Sequence, residues 1–270
     1  MLRRRILRRE TGGFVGAYDP FEASLAHVYE PARRTLASYT GALCRLRRAS
    51  DDAELDCGYI ASGELDIFTI GVWAGGASYV VSIYDQVVGD TVTQADKTRQ
   101  PLFVASAQNG HAGATFDGAN DSLSGAFTTG GILSQPIDTY SIIKTAIADF
   151  SNRYIFADDT DGNGLVRQQG GQWGMYYGNS LNLGALDLNH HLLTTLANGV
   201  SSQIFLDSAS LGIGNAGAYN ANGIIVGNSS PGGATPWWGN INAIIICDPV
   251  LSAGERAAMF VAMNNYWAVH

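Results

Sequence analysis

Residues 239–267 read GNINAIIICDPVLSAGERAAMFVAMNNYW, a strand pattern that leads into a helix pattern. Asn240 to Cys247 places apolar residues on both sides of an extended chain, which predicts a central strand buried on both faces. An Asp-Pro pair ends the strand, because proline cannot donate a ladder hydrogen bond. Ser252 and Glu255 then have capping-box spacing, and apolar residues at helical intervals predict a terminal helix with one buried face.

Composition favours strands over the remainder of the chain. Of 270 residues, 33 are glycine, 12 are tyrosine and 5 are tryptophan, which suits many short strands joined by tight turns. Strand candidates bounded by Gly, Asn or Asp recur from residue 140 to residue 227. We expect an all-β, two-sheet antiparallel sandwich, preceded by a short helix within residues 18–38, where apolar residues recur at helical spacing.

Charge is divided unevenly along the chain. Residues 1–48 hold 10 of the 16 basic groups, and the remaining residues carry a net charge of −14. Such an acidic body repels nucleic acid and anionic membranes. Residues 1–10, MLRRRILRRE, lack the apolar core of a signal peptide. We expect this arm to attach to an acidic neighbouring protein, with a solvated tail as the alternative; its basic residues are Arg3, Arg4, Arg5, Arg8 and Arg9.

The cysteines do not form a recognisable motif. Cys44, Cys57 and Cys247 are odd in number and widely spaced, which disfavours a disulfide framework and a zinc site. No apolar run reaches 18 residues, so no membrane-spanning helix is expected. We expect assembly in a reducing cytoplasm and no required cofactor.

Two blocks of sequence carry a family resemblance. The first is YTGALCRLRRASDDAELDCGYI at 39–60, followed in order by SYVVSIYDQ at 78–86 and by Gln94-Ala95 and Gln100-Pro101. It resembles the opening of the catalytic domain of fungal α-L-arabinofuranosidase B, which also occurs in phage virion proteins ahead of a laminin-G-like jelly roll. The second, TFDGANDSL at 115–123, resembles the turn that begins many laminin-G-like domains.

This resemblance implies a concanavalin-A-like jelly roll at residues 105–270 and an opening segment at 17–104 that packs on it, and the basic residues add an attachment arm at 1–16. The implied protein is a phage virion structural component, such as a spike, a fibre or a tail or head decoration. It would assemble in the host cytoplasm, lie on the virion surface, contact other virion proteins through the arm and touch host glycans. By analogy we expect a homo-oligomer, as a trimer. The alternatives are a glycoside hydrolase of arabinofuranosidase type and a free carbohydrate-binding module.

Hydrolysis with retention requires two carboxylates about 5 Å apart. In the arabinofuranosidase family the nucleophile is a glutamate of the later sandwich, but this chain has no glutamate between positions 65 and 254. We therefore expect no catalytic residues and no enzymatic activity. The aspartates that would substitute are Asp117 with Asp121 and Asp158 with Asp159. Aspartate followed by glycine is also an ordinary turn signal.

Two motifs suggest metal ions. Residues 159–164, DTDGNG, match the first half of a calcium loop, with Asp159, Asp161 and Asn163 as ligands. The glutamate expected at position twelve of such a loop is replaced by glycine, so a hairpin loop explains the stretch equally well. His190 and His191 are adjacent, and adjacent side chains on a strand diverge, which disfavours a shared metal.

Sugar recognition requires an aromatic platform beside amides and carboxylates. The chain offers two such clusters, one at Trp237-Trp238 and one at residues 173–179. Because neighbouring strand residues face opposite sides, we expect Trp238 in the core and Trp237 exposed. The candidate carbohydrate-binding residues are Trp237, Trp173, Tyr176, Tyr177 and Asn179, with core packing as the alternative.

Overall fold

The computed structural model describes residues 13–129, 131–159, 165–231 and 233–269. In these ranges the helices are α1 (Ile67–Ala74) and α2 (Ala253–Trp267), with 3₁₀ turns at Asp19–Ser24, Lys97–Arg99 and Gly199–Ser201. The strands are β1 (Leu25–Tyr29), β2 (Cys44–Arg48), β3 (Glu54–Cys57), β4 (Ser78–Ile83), β5 (Val92–Thr93), β6 (Leu102–Gln108), β7 (His111–Asp117), β8 (Leu123–Ala126), β9 (Ile137–Thr145), β10 (Arg153–Ala157), β11 (Leu165–Gln169), β12 (Gln172–Tyr176), β13 (Ser180–Ala185), β14 (His190–Ala197), β15 (Ser202–Leu206), β16 (Ala209–Gly214), β17 (Gly223–Val226) and β18 (Trp238–Cys247). No helix in the described ranges is long and apolar enough to cross a membrane.

The strands join into one continuous antiparallel sheet. From β18 one branch runs through β9, β14 and β15 to β16. The other runs through β7, β6, β4, β5, β8, β17, β10, β11 and β12 to β13. The two end strands approach each other, because a Cβ placed on Gly214 of β16 would lie 2.5 Å from Leu181 of β13. The sheet is therefore a nearly closed barrel.

The predicted two-sheet jelly roll is wrong, although the all-β class is right. A sandwich consists of two separate sheets with no ladder hydrogen bonds between them. Here strand β4 pairs with β2, β5 and β6, and such pairings join all the strands into one sheet. An alternating pattern assigns the faces of each strand but not its partners, and this is why the sequence did not reveal the closure. The division of the chain into three segments stays a prediction.

Strand β18 occupies the centre of the sheet, as predicted. It pairs with β9 along one side and with both β1 and β7 along the other. Residues 243–247 are all buried, so both faces of the strand are covered. One face joins the large core inside the barrel, which includes Ile241, Ile244 and Ile246. The other face joins a second cluster beneath α2.

Helix α2 covers this outer cluster. Its capping box is formed as predicted: Glu255 N–H donates to Ser252 Oγ at 3.3 Å, and Ser252 N–H donates to Glu255 Oε2 at 2.8 Å. Its buried face lies against residues of the N-terminal part of the chain, including Tyr18 and Leu36. That part contains a 3₁₀ turn and strand β1 instead of the predicted helix, because pairing with β18 outweighs the helical spacing.

Candidate functional site

A polar cavity of about 580 Å³ opens beside the turn that follows β7. We call it the aspartate pocket. Two carboxylates, two cationic side chains and a tyrosine line it, and this mixture is typical of sites that bind polar ligands. Its walls are formed by Arg47, Ala49, Tyr79, Lys97, Thr98, Gln100, Leu102, Thr115, Asp117 and Asp121.

The two carboxylates belong to the turn that the sequence singled out. Asp117 Oδ1 accepts the N–H groups of Ala119 and Asn120 at 2.7 and 3.3 Å, and Gly118 has φ +74°. Asp121 Oδ2 accepts the N–H of Asp117 at 2.9 Å. The turn function of these aspartates is therefore confirmed. Each carboxylate still has one oxygen, Asp117 Oδ2 and Asp121 Oδ1, that accepts no hydrogen bond from the described residues.

The segment at 94–100 holds this turn in place. Gln94 Nε2 donates to the carbonyl of Ser122 at 2.9 Å, and Ser122 N–H donates to the carbonyl of Arg99 at 3.0 Å. Gln100 Nε2 donates to the carbonyl of Gln94 at 2.8 Å. Of the two glutamines that carried the arabinofuranosidase resemblance, Gln100 lines the pocket and Gln94 bonds the turn of the second block.

The two cationic side chains of the pocket, Arg47 and Lys97, both pair with Asp52. Arg47 donates to Asp52 at 2.7 Å and to Gln100 Oε1 at 2.7 Å, and its guanidinium lies 4.9 Å from the centre of the Tyr79 ring. Lys97 also bonds Asp52. Arg47 and Lys97 were not predicted from the sequence, because elements that are separate in the chain bring them to the pocket.

The two carboxylates occupy different environments. Asp117 is exposed, whereas Asp121 is only 5% exposed. Burial raises the pKa of Asp121 to about 6; the hydrogen bond from the Asp117 backbone lowers it in part, and the nearby Asp117 charge raises it. A carboxyl group with such a pKa holds a proton in a useful fraction of molecules near neutral pH, which is the property of a general acid.

A second surface lies across β10, β11 and β12, and we call it the tyrosine surface. Buried Arg167 donates to Tyr154 Oη at 2.9 Å, and its guanidinium lies 5.5 Å from the Tyr154 and Tyr176 rings. Tyr219 is 47% exposed and meets Tyr176 edge to face, with ring centres 6.3 Å apart. Asn179 is exposed next to them. Arg167 and Tyr219 were not predicted, because they come from separate parts of the chain.

The predicted aromatic residues divide between this surface and the core. Tyr176 and Asn179 lie on the tyrosine surface. Trp173 and Tyr177 are 0% and 2% exposed and belong to the barrel core, where burying a large apolar side chain contributes about 1.5–3 kcal/mol. The alternating faces of β12 separate Trp173 from Tyr176.

The expectation for the two adjacent tryptophans is reversed. Trp237 is fully buried, and its indole N–H donates to the carbonyl of Asn240 at 3.3 Å. Trp238 is 42% exposed and lies 5.8 Å from the guanidinium of Arg153. Strand β18 begins at Trp238 with that residue facing outward, so its neighbour must face inward. The sequence identified the alternation but not its phase.

The remaining predicted residues belong to the calcium loop, the basic arm and the histidine pair. Asp161, Asn163 and the five arginines at positions 3, 4, 5, 8 and 9 lie outside the described residues. Asp159 is half-buried after β10, and burial raises its pKa. His191 bonds Asp207 and Asp187 at 2.5 and 2.8 Å. The described residues contain no group of three ligands suited to a metal ion.

The fold resembles that of known glycoside hydrolases. An arabinofuranosidase complexed with arabinofuranosyl-alpha-1,2-xylobiose matches with a TM-score of 0.73 at 15% identity, over 92% of this chain and 64% of that one. A GH54 α-L-arabinofuranosidase soaked with a cyclic sulfate inhibitor matches with 0.71 at 14% identity, over 91% of this chain and 63% of that one. A Trypanosoma rangeli sialidase matches with 0.50 at 12% identity, over 68% of this chain and 31% of that one. No protein-family model and no curated protein sequence matches the chain.

These matches correct several expectations drawn from the sequence. Recognition as a phage virion jelly-roll protein is wrong, because the similar structures are arabinofuranosidases and a sialidase. The expectation that the chain is not an enzyme is contradicted by the same matches. At such low identity the likeness shows the fold alone, and the chain spans 64% of the length of the first arabinofuranosidase. The predictions on partners, oligomeric state and location stay predictions.

Proposed function

We propose that this chain is a glycoside hydrolase with its active site in the aspartate pocket. The observation that carries the proposal is that Asp117 and Asp121 line one polar cavity in contrasting environments, exposed and buried. Carboxyl pairs whose surroundings differ in this way are typical of acid and nucleophile or base assignments. The resemblance of the fold to arabinofuranosidases supports the same class of reaction.

In this mechanism Asp121 donates its proton to the glycosidic oxygen as the bond to the anomeric carbon breaks. Asp117 supplies the second carboxylate on the exposed side of the pocket. In a retaining reaction Asp117 bonds the anomeric carbon, and Asp121 then takes a proton from the water that releases the sugar. In an inverting reaction Asp117 acts as the base and takes a proton from the water that attacks the anomeric carbon. The anomeric configuration of the sugar that is released first, measured by NMR, distinguishes retention from inversion.

The test uses 4-nitrophenyl α-L-arabinofuranoside, arabinosylated xylo-oligosaccharides and a panel of other nitrophenyl glycosides. We expect release of nitrophenol, and we expect Asp121→Asn to lower kcat about 10²- to 10⁴-fold, the usual contribution of a general acid. Asp66→Asn is the matched control, because Asp66 caps α1 outside the pocket and asparagine preserves a cap. Absence of hydrolysis across the panel, or full activity in Asp121→Asn and Asp117→Asn, would overturn the proposal.

A second candidate function is glycan binding without cleavage at the tyrosine surface. The exposed Tyr219 ring offers a face for sugar stacking, and Asn179 beside it offers an amide for hydroxyl groups. The absence of glutamate between positions 65 and 254 also favours binding alone. This function makes no use of the aspartate pocket.

Affinity electrophoresis in gels that contain arabinan or arabinoxylan separates the two functions. If the tyrosine surface binds glycan, Tyr219→Ala removes the retardation and Asp121→Asn leaves it intact. Phe68→Ala is the control for loss of an exposed aromatic ring, because Phe68 is 81% exposed on α1. Equal retardation of wild type and Tyr219→Ala would exclude this surface.

A further inference from the structure

Two of the three cysteines lie directly opposite each other in the sheet. The register of β2 with β3 pairs Cys44 with Cys57. Opposed residues in antiparallel strands have Cα atoms about 4.5–5.5 Å apart, within the range of about 4.4–6.8 Å that a disulfide spans. The hairpin therefore provides the geometry that their spacing in the sequence did not indicate.

Both cysteines are free and buried thiols. Cys44 is fully buried, and Cys57 is 2% exposed. The neighbouring Cys57 thiol, followed by burial, raises the pKa of Cys44 well above its usual value, and Cys57 Sγ donates to the carbonyl of Leu55 at 3.5 Å. Cys247 lies elsewhere, in β18 beneath α2, and belongs to the other apolar cluster. The chain thus contains one adjacent pair of thiols and one separate thiol.

We propose that Cys44 and Cys57 are an oxidative modification site that forms a disulfide by exchange with a small disulfide such as oxidised glutathione. One cysteine, as the thiolate, attacks the glutathione disulfide, forms a mixed disulfide and releases one glutathione thiol. The second cysteine attacks the protein sulfur of that mixed disulfide and releases the other glutathione. Two protein thiols are oxidised, one glutathione disulfide is reduced, and the two cysteine protons pass to the two glutathione thiols.

The position of β3 explains how the oxidant reaches a buried pair. Strand β3 has four residues, and within the described ranges its only partner is β2, so it is an edge strand. Three of its residues are exposed or half-buried, which leaves it with few apolar contacts. Such strands open locally at low cost. Oxidation is therefore limited by the opening of β3, and the folded protein exchanges slowly when β3 is closed.

The disulfide would stabilise one wall of the aspartate pocket. Strand β2 carries Arg47, which lines that pocket, and β3 is attached to β2 beside it. Linking the two strands holds the edge strand on the barrel and limits its opening. We expect the oxidised protein to unfold at a higher urea concentration than the reduced protein. This inference does not depend on hydrolysis in the pocket.

The test incubates the full chain with reduced and oxidised glutathione, then counts free thiols in denaturant and maps peptides by mass spectrometry. We expect three free thiols to fall to one, with the Cys44 peptide joined to the Cys57 peptide and Cys247 free. The Cys247→Ser variant has two thiols, and we expect neither of them to remain free after oxidation. Cys57→Ser should retain both of its thiols or hold glutathione on Cys44 without a cross-link.

Urea just below the unfolding transition provides a second condition, because it favours the opening of the edge strand. Faster cross-linking there is expected. Three free thiols after prolonged oxidation under both conditions would overturn the proposal. Stable glutathione adducts on Cys44 or Cys57 of the wild-type chain, without the cross-link, would also overturn it. Peptide mapping of the wild type distinguishes these outcomes even if the Cys57→Ser variant does not fold.

Discussion

Asp121 is a buried carboxyl group in a position that opposes its ionisation. Burial raises its pKa to about 6, above that of an unfolded aspartate, so the folded state binds the proton more tightly. Stability therefore falls as pH rises from about 4 to about 6 and then levels off. We expect Asp121→Asn to have a free energy of unfolding about 1–2 kcal/mol higher than wild type at pH 7; this figure is reduced because solvent in the open pocket screens the carboxylate. Urea titrations at pH 4.5 and pH 7 measure this difference.

This stability result has a functional meaning. A variant that is more stable but inactive is typical of a residue kept for its chemistry. If the Asp121 carboxylate served to stabilise the turn, Asp121→Asn would be equal to wild type or less stable at pH 7, and the difference in stability between wild type and variant would be the same at pH 4.5 and pH 7. Asp117→Asn is the comparison, because that residue is exposed and lines the same pocket.

His191 has the opposite dependence on pH. Burial alone would lower its pKa, but hydrogen bonds with Asp207 and then Asp187 outweigh burial and raise it. Its contribution is present below the unfolded pKa of about 6.5 and is lost as pH rises through the folded value. We expect His191→Gln to lose about 2 kcal/mol at pH 6 and less at pH 9. Thermal unfolding of both variants measures this, and His190→Gln is the control of opposite sign: burial, Lys144 and His191 lower the His190 pKa to about 4, so its replacement should be more favourable to stability at pH 6 than at pH 9.

At the scale of single elements, helix α2 shows what local chemistry contributes. Its first turn depends on the reciprocal bonds between Ser252 and Glu255. We expect Ser252→Ala to lower the free energy of unfolding by about 1 kcal/mol, because a backbone N–H of the first turn loses its partner. Ser252→Asp preserves an acceptor and should remain close to wild type. Urea unfolding of the three proteins checks this, and equal losses in both variants would contradict it.

The elements also show how far the sequence predicts this fold and site. The capped helix, strand β18 and the turn at Asp117 depend on residues close together in the chain, and the sequence predicted them. The opposite faces of Trp237 and Trp238 depend on the phase of β18, and the opposition of Cys44 and Cys57 depends on register, neither of which the local pattern determines. The cationic wall of the aspartate pocket required tertiary pairing of β2 with β4, which brings Arg47 beside Tyr79.

At the scale of the whole molecule, the two ends of the described chain meet around one buried arginine. Arg33 lies 2.6 Å from Glu30, which is fully buried and also accepts the hydroxyl of Tyr18 at 2.7 Å. The guanidinium lies 3.7 Å from the centre of the Tyr266 ring on α2, and the Tyr266 hydroxyl donates to Glu64 at 2.7 Å. This cluster holds the terminal helix against the N-terminal segment.

Removing one member of this cluster should cost more than replacing the pair. Arg33→Ala leaves the Glu30 charge buried without its partner, so we expect a loss of about 3 kcal/mol in the free energy of unfolding. In Arg33→Met with Glu30→Gln no buried charge remains, and the loss should be smaller than in the single variant. Urea denaturation measures both. A double variant that loses the sum of the effects of Arg33→Met and Glu30→Gln, each measured alone, would show that the pair is not coupled.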